Sequence, residues 1–237
     1  MFWTEESIAF LRDAAAMNRY YETIAERIAP QLPENAHICD AGCGIGELSL
    51  ALKPYCHHVT AVDADELAIK TLKAHLIEGV TARCGDMETL APEKPYDAMV
   101  FCLFGRTEDA LRIAKKQCRG RIFLVKRDYS HHCFSAEQVS LGEYTAGSTE
   151  AVLHEKGIPY TVERFAAEFG QPFRSLEAAE HFFALYNRSR SETLSKDEIK
   201  ARLTAGPSAE FPYYLPHKKA LCLFTIETAA ISKEEAV

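Results

Sequence analysis

One glycine-rich turn and Asp63 stand in the sequence where they could bind a single ligand together. Asp40 precedes the turn Gly42–Gly46, in which every second residue is glycine, and Asp63 and Asp86 come at or just after the ends of strand-like segments. Glycine has no Cβ, so its backbone can adopt positive φ and touch a ligand, while a helix that follows offers unpaired N–H groups. A carboxylate at the end of the next strand can accept hydrogen bonds from both hydroxyls of a ribose. These residues predict a site for a nucleoside-containing cofactor.

The spacing of the glycines separates two kinds of cofactor. A nicotinamide dinucleotide site has the pattern G-x-G-x-x-G, which would require glycine at position 47 if it began at Gly42. The chain has Glu47 there and reads G-x-G-x-G instead. An NAD-type oxidoreductase is therefore the less favoured alternative.

The segment from Asp40 to Gly46 resembles the first motif of class I S-adenosylmethionine-dependent methyltransferases, and the similarity extends over roughly residues 36–127. The resemblance implies that the glycine turn holds the methionine end of the cofactor, that Asp40 interacts with its amino group, and that Asp63 binds the ribose. It further implies that Asp86 binds the adenine amino group and that Met87 packs on the ring, although Gly85–Asp86 is also an ordinary turn pair. The predicted cofactor-binding residues are Asp40, Gly42, Cys43, Gly44, Gly46, Asp63, Ala64, Asp86, Met87, Phe101, Cys102 and Leu103.

The fourth predicted strand narrows the class of acceptor. Its carboxyl end should reach the cofactor, since ligands gather there in open α/β sheets, which makes Phe101, Cys102 and Phe104 pocket candidates. Methyltransferases that act on amino groups of nucleobases or on glutamine usually carry Asn/Asp-Pro-Pro-aromatic at this point, and cytosine-C5 enzymes carry Pro-Cys. This chain has Cys102–Gly105 instead. The prediction is transfer of a methyl group to a small-molecule acceptor through an O, N or S nucleophile, with S-adenosylhomocysteine as the other product.

The acceptor side has only weak candidates. Trp3, Tyr20 and Tyr21 lie in the helical N-terminal segment and could shield a substrate together with Phe104, or could simply be core residues of an amphipathic helix. His131 and His132 follow the fifth strand, where a general base would belong, but paired histidines in a polar loop can equally be solvated. Because no acceptor signature is recognisable, a catalytically silent cofactor- or partner-binding protein stays open as an alternative.

Composition points to one compact domain. The 237 residues are 47% hydrophobic with a formal net charge of −7, and no run of Lys and Arg is longer than a pair, which disfavours a nucleic acid partner. No leader or membrane-spanning segment is recognisable, so we expect a cytoplasmic monomer or homodimer without membrane attachment. The eight cysteines are scattered and lack paired C-x-x-C spacing, so we expect reduced thiols and no metal.

The order of apolar segments predicts the fold class. The first thirty residues repeat apolar positions every three or four residues, which predicts a helical arm ending near Pro30 and Pro33. Strands and helices then alternate, which predicts a Rossmann-like, doubly wound, mainly parallel sheet with helices on both faces. The family resemblance makes the sheet seven-stranded with an antiparallel last strand. We expect a single domain over 1–237, with a lid at 1–33, the cofactor-binding core at 34–128 and the acceptor side at 129–237.

Overall fold

A computed structural model of the chain describes residues 3–75, 77–131, 134, 136, 139–187 and 193–231. The predicted helical arm is two helices, α1 (Glu5–Met17) and α2 (Tyr20–Ile28), and not one continuous run. A Thr4–Ser7 capping box begins α1. The break comes at Asn18, whose backbone is extended and whose side-chain amide donates to the Ala14 carbonyl at 2.7 Å. Asparagine competes for backbone groups in this way, so it ends the helix although the apolar periodicity continues.

The middle of the chain alternates between strands and helices, as predicted. Short 3₁₀ turns at Ala29–Gln31 and Lys53–Tyr55 follow α2 and α3. The elements are β1 (His37–Ala41), α3 (Glu47–Leu52), β2 (His58–Asp63), α4 (Glu66–Lys73), β3 (Val80–Cys84), β4 (Tyr96–Cys102), α5 (Thr107–Gln117) and β5 (Cys118–Arg127).

The described part of the remaining chain contains further helices and strands. It also contains 3₁₀ turns at Gly142–Tyr144 and Thr228–Ala230. Its elements are α6 (Ala146–Glu155), β6 (Thr161–Glu168), β7 (Gln171–Phe173), α7 (Leu176–Asn187), α8 (Lys196–Arg202), β8 (Thr204–Ala205), β9 (Tyr213–Leu215) and β10 (Lys218–Glu227).

The main sheet has seven strands in the order β3-β2-β1-β4-β5-β10-β6. Strands β1 to β5 pair in parallel, whereas β10 runs antiparallel to both β5 and β6. The register of β10 places Leu221 opposite Arg127. The predicted fold class is confirmed, including the antiparallel last strand. Because β10 runs against β5, its beginning lies at the same edge of the sheet as the carboxyl ends of β1–β5.

Helices cover both faces of this sheet. One apolar cluster packs α5 and α6 against Phe101, Leu124 and Phe224. A second cluster packs α2 and α3 against Ile38, Phe123 and neighbouring apolar residues on the opposite face. Strand β5 contributes alternate residues to the two clusters, which explains its nearly continuous apolar sequence. Among the described residues, no helix is both long and apolar enough to cross a lipid bilayer.

A second, smaller sheet was not predicted. Strands β7, β9 and β8 pair antiparallel in that order, and β7 and β9 lie in segments that contain aromatic residues and proline. Phe173 and Leu215 from this sheet pack with Phe182 and Phe183 of α7 in a small apolar core. These strands have only two or three residues, too few to show the alternation of side chains by which a strand is recognised.

Candidate functional site

The glycine turn between β1 and α3 has the backbone conformation that its sequence predicts. Gly42, Gly44 and Gly46 have φ of 68°, 54° and 87°, in the left-handed region that favours glycine. The turn is fixed to the neighbouring strand by the Cys43 N–H, which donates to the Val62 carbonyl at 3.0 Å. Aromatic rings lie directly against it, since a Cβ on Gly44 would stand 2.6 Å from Trp3 and one on Gly42 would overlap Phe104.

Gly46 has a different role from the other two glycines. It precedes the first residue of α3, and a Cβ at this position would overlap the side chain of Leu72 on α4. It does not line the cavity described below. Gly46 therefore allows α3 and α4 to pack closely, whereas Gly42 and Gly44 present bare backbone to the cavity.

Asp63, at the end of β2, organises the backbone around it. Its Oδ2 accepts a hydrogen bond from the Gly44 N–H at 2.8 Å, and its Oδ1 accepts one from the Asp65 N–H at 2.9 Å. Each carboxylate oxygen can accept a further hydrogen bond, so this side chain can hold two hydroxyls while it fixes the turn. Asp65 in turn begins α4, where its Oδ1 accepts from the Leu67 and Ala68 N–H groups.

Asp40 is almost fully buried, with 1% of its surface exposed. Its Oδ2 accepts a hydrogen bond from the Ser49 hydroxyl on α3 at 2.6 Å. Burial raises the pKa of this carboxyl to about 6, the Ser49 hydrogen bond opposes the rise, and nearby Asp63 adds to it. At neutral pH Asp40 is therefore mainly ionised and attracts a cationic group.

Asp86 lies on the exposed side of the same region. Its Oδ1 accepts a hydrogen bond from the Glu88 N–H at 2.9 Å, so it forms the ordinary turn that its sequence also allows. Met87 is buried, and its carbonyl accepts from the Gln117 amide at 2.6 Å. Both residues nevertheless contribute to the cavity.

A cavity of about 710 Å³ connects these groups along the carboxyl edge of the parallel strands. Its volume lies within the range of roughly 300–1,000 Å³ that is usual for small-molecule sites. Most of the predicted site residues meet here. Those that line it are Trp3, Tyr20, Tyr21, Asp40, Gly42, Cys43, Gly44, Asp63, Ala64, Asp86, Met87, Cys102, Leu103 and Phe104.

Two other predicted residues that the structure describes, Phe101 and His131, do not reach the cavity. The ring of Phe101 is fully buried in the core on the α5 face, which corrects the expectation that it faces the pocket. The reason is the alternation of strand side chains, which sends Phe101 and Cys102 to opposite faces. His131 is exposed, pairs through its ring with the Ser130 hydroxyl at 2.8 Å, and does not line the cavity. His132 lies outside the described residues.

The end of β4 carries backbone strain next to the cavity. Leu103 has φ of 54°, a conformation that costs a branched residue about 1–3 kcal/mol and that persists only where its surroundings impose it. Its N–H donates to the Val125 carbonyl at 2.9 Å, which holds the strand end in place. Burial raises the pKa of the neighbouring Cys102 thiol to about 12, so this thiol stays protonated. Backbone strain such as that at Leu103 is typical of functional sites.

Sequence reasoning missed two cationic residues of the cavity, Arg127 and Lys219. Arg127 ends β5, and Lys219 stands near the start of the antiparallel strand, so both come to the edge where ligands gather. The sequence signal that could have identified them was their position at the end of one predicted strand and at the start of another. Tyr186 of α7 was also missed, and Phe169, between β6 and β7, lines the cavity as well.

The fold and this cavity define an α/β protein with a cavity of small-molecule size at the carboxyl edge of its sheet. Residues 38–120 match the protein family described as methyltransferase domain. This match runs from β1 to the start of β5 and confirms the resemblance of this segment to class I S-adenosylmethionine-dependent methyltransferases. No curated protein matches the sequence.

Solved structures share the overall fold at low sequence identity. The YcgJ protein from Bacillus subtilis is 15% identical with a TM-score of 0.55, and the match covers 87% of this chain and 97% of that one. A putative methyltransferase from Bacillus halodurans C-125 is 15% identical with a TM-score of 0.53, covering 87% and 98%. A functionally unknown protein from Deinococcus radiodurans R1 is 13% identical with a TM-score of 0.54, covering 86% and 84%. At these identities the similarity concerns the fold alone.

Among the described residues, no group of three His, Cys, Asp or Glu side chains is placed to hold a metal ion. Seven of the cysteines lie in the described parts of the chain, and all seven are free thiols.

Proposed function

We propose that this protein is an S-adenosylmethionine-dependent methyltransferase that acts on a small-molecule acceptor. The observation that carries the proposal is one continuous cavity, which joins the bare glycine turn and the carboxylates of Asp40 and Asp63 to an aromatic region beyond β4. The first part suits a cofactor and the second part leaves room for an acceptor beside it.

The residues present fit S-adenosylmethionine chemically. A Cβ at Gly42 or Gly44 would intrude on the space beside the turn, so these positions suit close contact between backbone and ligand. Asp40 would attract the ammonium group, Asp63 would accept from the ribose hydroxyls, and Asp86 would accept from the adenine amino group. When bound, this cofactor supplies a methyl group on a cationic sulfur, which an acceptor atom displaces in line.

The protein has little covalent chemistry to perform in such a reaction. Its contribution is to hold donor and acceptor in contact and to exclude water from the reacting atoms. Trp3 and Phe104 pack on the glycine turn, and Tyr20 and Tyr21 line the same cavity, so aromatic rings surround the place where the acceptor would meet the cofactor.

Isothermal titration calorimetry tests the cofactor assignment. We expect S-adenosylmethionine to bind with a Kd on the order of micromolar, and NAD not to bind. Binding of NAD alone would instead support the oxidoreductase alternative. Release of S-adenosylhomocysteine with an acceptor from a broad panel would distinguish an active enzyme from a catalytically silent cofactor-binding protein.

A substitution at Asp63 tests the ribose assignment. Asp63→Asn removes the charge but keeps one oxygen acceptor for the backbone, so it perturbs the turn less than Asp63→Ala would. We expect it to weaken cofactor binding by about tenfold or more, because hydrogen bonds to a charged acceptor are lost. The control is Asp128→Asn, at an exposed aspartate outside the cavity. Equal affinity in both variants and the parent protein would contradict the assignment.

A further inference from the structure

The cavity has opposite charges at its two ends. The three predicted aspartates Asp40, Asp63 and Asp86 stand at the ends of β1, β2 and β3, and acidic Glu47, Asp65 and Glu66 also line this side. Arg127 and Lys219 stand on β5 and β10, on the other side of β4. Neighbouring strands are about 4.8 Å apart, so the three intervals from β2 to β5 separate Asp63 from Arg127 by roughly 14 Å. The cationic end is therefore remote from the ribose and adenine positions.

Arg127 and Lys219 project from the same face of the sheet. Arg127 is opposite Leu221 in the antiparallel β5–β10 pair, and Lys219 precedes Leu221 by two residues. Residues in this diagonal relation lie about 7–8 Å apart with their side chains on one face. A single carboxylate or phosphate group between them can contact both cations.

Aromatic rings lie close to Lys219. The Lys219 ammonium lies 4.3 Å from the centre of the Phe169 ring and 5.0 Å from that of Tyr20. Tyr186 lines the same cavity. Within the described parts of the chain, no carboxylate forms an ion pair with the Arg127 guanidinium. The charge of Arg127 is thus turned to the cavity without an acidic partner from these residues.

Tyr20 supplies a second and independent indication of a ligand. Its side chain is buried, with 1% of the surface exposed, and it lines the cavity. Its hydroxyl has no hydrogen-bond partner among the described residues. A buried hydroxyl without a partner costs about 1–3 kcal/mol, so native proteins rarely leave one unless something else binds it. Burial also raises the pKa of Tyr20 well above its usual value, so the hydroxyl keeps its proton and can donate.

We infer that the methyl acceptor is a small organic anion, whose carboxylate or phosphate group binds Arg127 and Lys219 and accepts a hydrogen bond from the Tyr20 hydroxyl. An apolar or aromatic body would pack between Tyr20, Phe169 and Tyr186 and present its nucleophilic atom toward β4. This inference rests on the proposed function, since it assigns the other end of the cavity to the cofactor.

The first experiment separates the inference from the proposed function. S-adenosylhomocysteine is titrated into the parent protein and into Arg127→Gln, Lys219→Gln and Lys218→Gln, the last being an exposed neighbour on the same strand that does not line the cavity. We expect all four proteins to bind it within about twofold of each other. If the parent protein fails to bind, the proposed function is wrong. If only Arg127→Gln or Lys219→Gln loses affinity for S-adenosylhomocysteine by about tenfold or more, the substituted cation holds the cofactor's own carboxylate and the inference is overturned.

The second experiment tests the anion directly on protein saturated with S-adenosylhomocysteine. Benzoate and phenyl phosphate are the anionic probes, and benzamide is the neutral one. We expect at least one anion to bind at concentrations up to about 10 mM and benzamide to bind at least about tenfold more weakly. The tighter of the two anions distinguishes a carboxylate from a phosphate acceptor. Absence of binding by both anions, or equal binding of benzamide, would overturn the inference.

The same probes applied to the variants identify the residues responsible. Arg127→Gln and Lys219→Gln should each lower the affinity for the preferred anion by about tenfold, whereas Lys218→Gln should leave this affinity unchanged. Tyr20→Phe keeps the ring and removes only the hydroxyl, so it should weaken the anion while S-adenosylhomocysteine affinity stays the same. Unchanged anion affinity in Arg127→Gln and Lys219→Gln contradicts the inference.

Discussion

At the scale of single residues, Asp40 carries a buried carboxyl group beside the cavity. An ionised carboxylate with 1% of its surface exposed is costly, and the protein offsets part of the cost with one hydrogen bond from Ser49. The protein would be more stable with a neutral side chain at this core position near the end of β1. That a charge is kept there is consistent with its proposed role toward a cationic ammonium group.

The raised pKa of Asp40 gives a prediction for stability against pH. The pKa rises from 3.8 to about 6 on folding, so the folded state binds the proton more tightly and loses stability as pH increases between these values. Relative to Asp40→Asn, we expect the parent protein to lose about 2 kcal/mol between pH 4 and 6. Urea unfolding of both proteins across this range measures the difference. Ser49→Ala, which removes the opposing hydrogen bond, should move the transition to higher pH; parallel curves for parent and Asp40→Asn would contradict the assignment.

Trp3 provides an optical signal for the site. It is the one tryptophan of the chain, it lines the cavity, and its indole packs on Gly44. A ligand that contacts the glycine turn must change the surroundings of this ring. We expect a saturable change in tryptophan fluorescence with S-adenosylmethionine and none with NAD. Trp3→Phe should abolish the signal while calorimetry still detects binding; a full calorimetric response without a fluorescence change would place the ligand elsewhere.

At the scale of elements, Asn18 joins the N-terminal helices to the small sheet. Its amide donates to the carbonyls of Ala14 at 2.7 Å and Gly170 at 2.9 Å, and its Oδ1 lies 3.1 Å from the Tyr214 hydroxyl. The same residue therefore ends α1, sets the direction of α2, and contacts the segment between β6 and β7. The position of Trp3 and Tyr20 over the cavity depends on this junction.

Removing the Asn18 side chain should weaken the junction. We expect Asn18→Ala to destabilise the protein by about 2–4 kcal/mol, because it leaves buried carbonyls without their donor. The control is Met17→Ala, at a neighbouring residue with 41% of its surface exposed, which should cost less than about 1 kcal/mol. Thermal unfolding of the two variants compares them. Equal melting temperatures for Asn18→Ala and the parent protein would show that the junction contributes nothing to the stability of the fold.

An element can be predicted from the sequence when the residues that define it are neighbours in the chain. Strand β2 ends at Asp63, as the strand-like segment in the sequence indicates, because a buried parallel strand forms a short apolar run between turn residues. The break at Asn18 was not predicted, because the apolar periodicity continues past this residue. The β7–β9 pair was missed because strands of three residues are stabilised by tertiary contacts. Arg127 and Lys219 belong to the site only through the pairing of β5 with β10, which joins residues distant in sequence.

At the scale of the whole molecule, the small sheet shares its packing with the rest of the chain. Phe10 of α1 contacts Phe173 of β7 and Phe182 of α7, with ring centres 6.1 and 5.3 Å apart. The Gln171 amide also donates to the Phe10 carbonyl at 3.0 Å. The small core is therefore bounded on one side by the N-terminal helix, and its strands are too short to be stable alone.

These contacts favour the predicted single domain over 1–237, and calorimetry can test it. We expect one cooperative unfolding transition, with calorimetric and van't Hoff enthalpies equal, because the small core cannot unfold while α1 stays packed. S-adenosylhomocysteine at about 100 times its Kd should stabilise the folded state by about 2.7 kcal/mol and raise the melting temperature by about 5–10 °C. The whole transition should move together, since the ligand site includes residues from α1, the main sheet and α7. Two transitions, of which only one moves with ligand, would divide the chain into separate folding units.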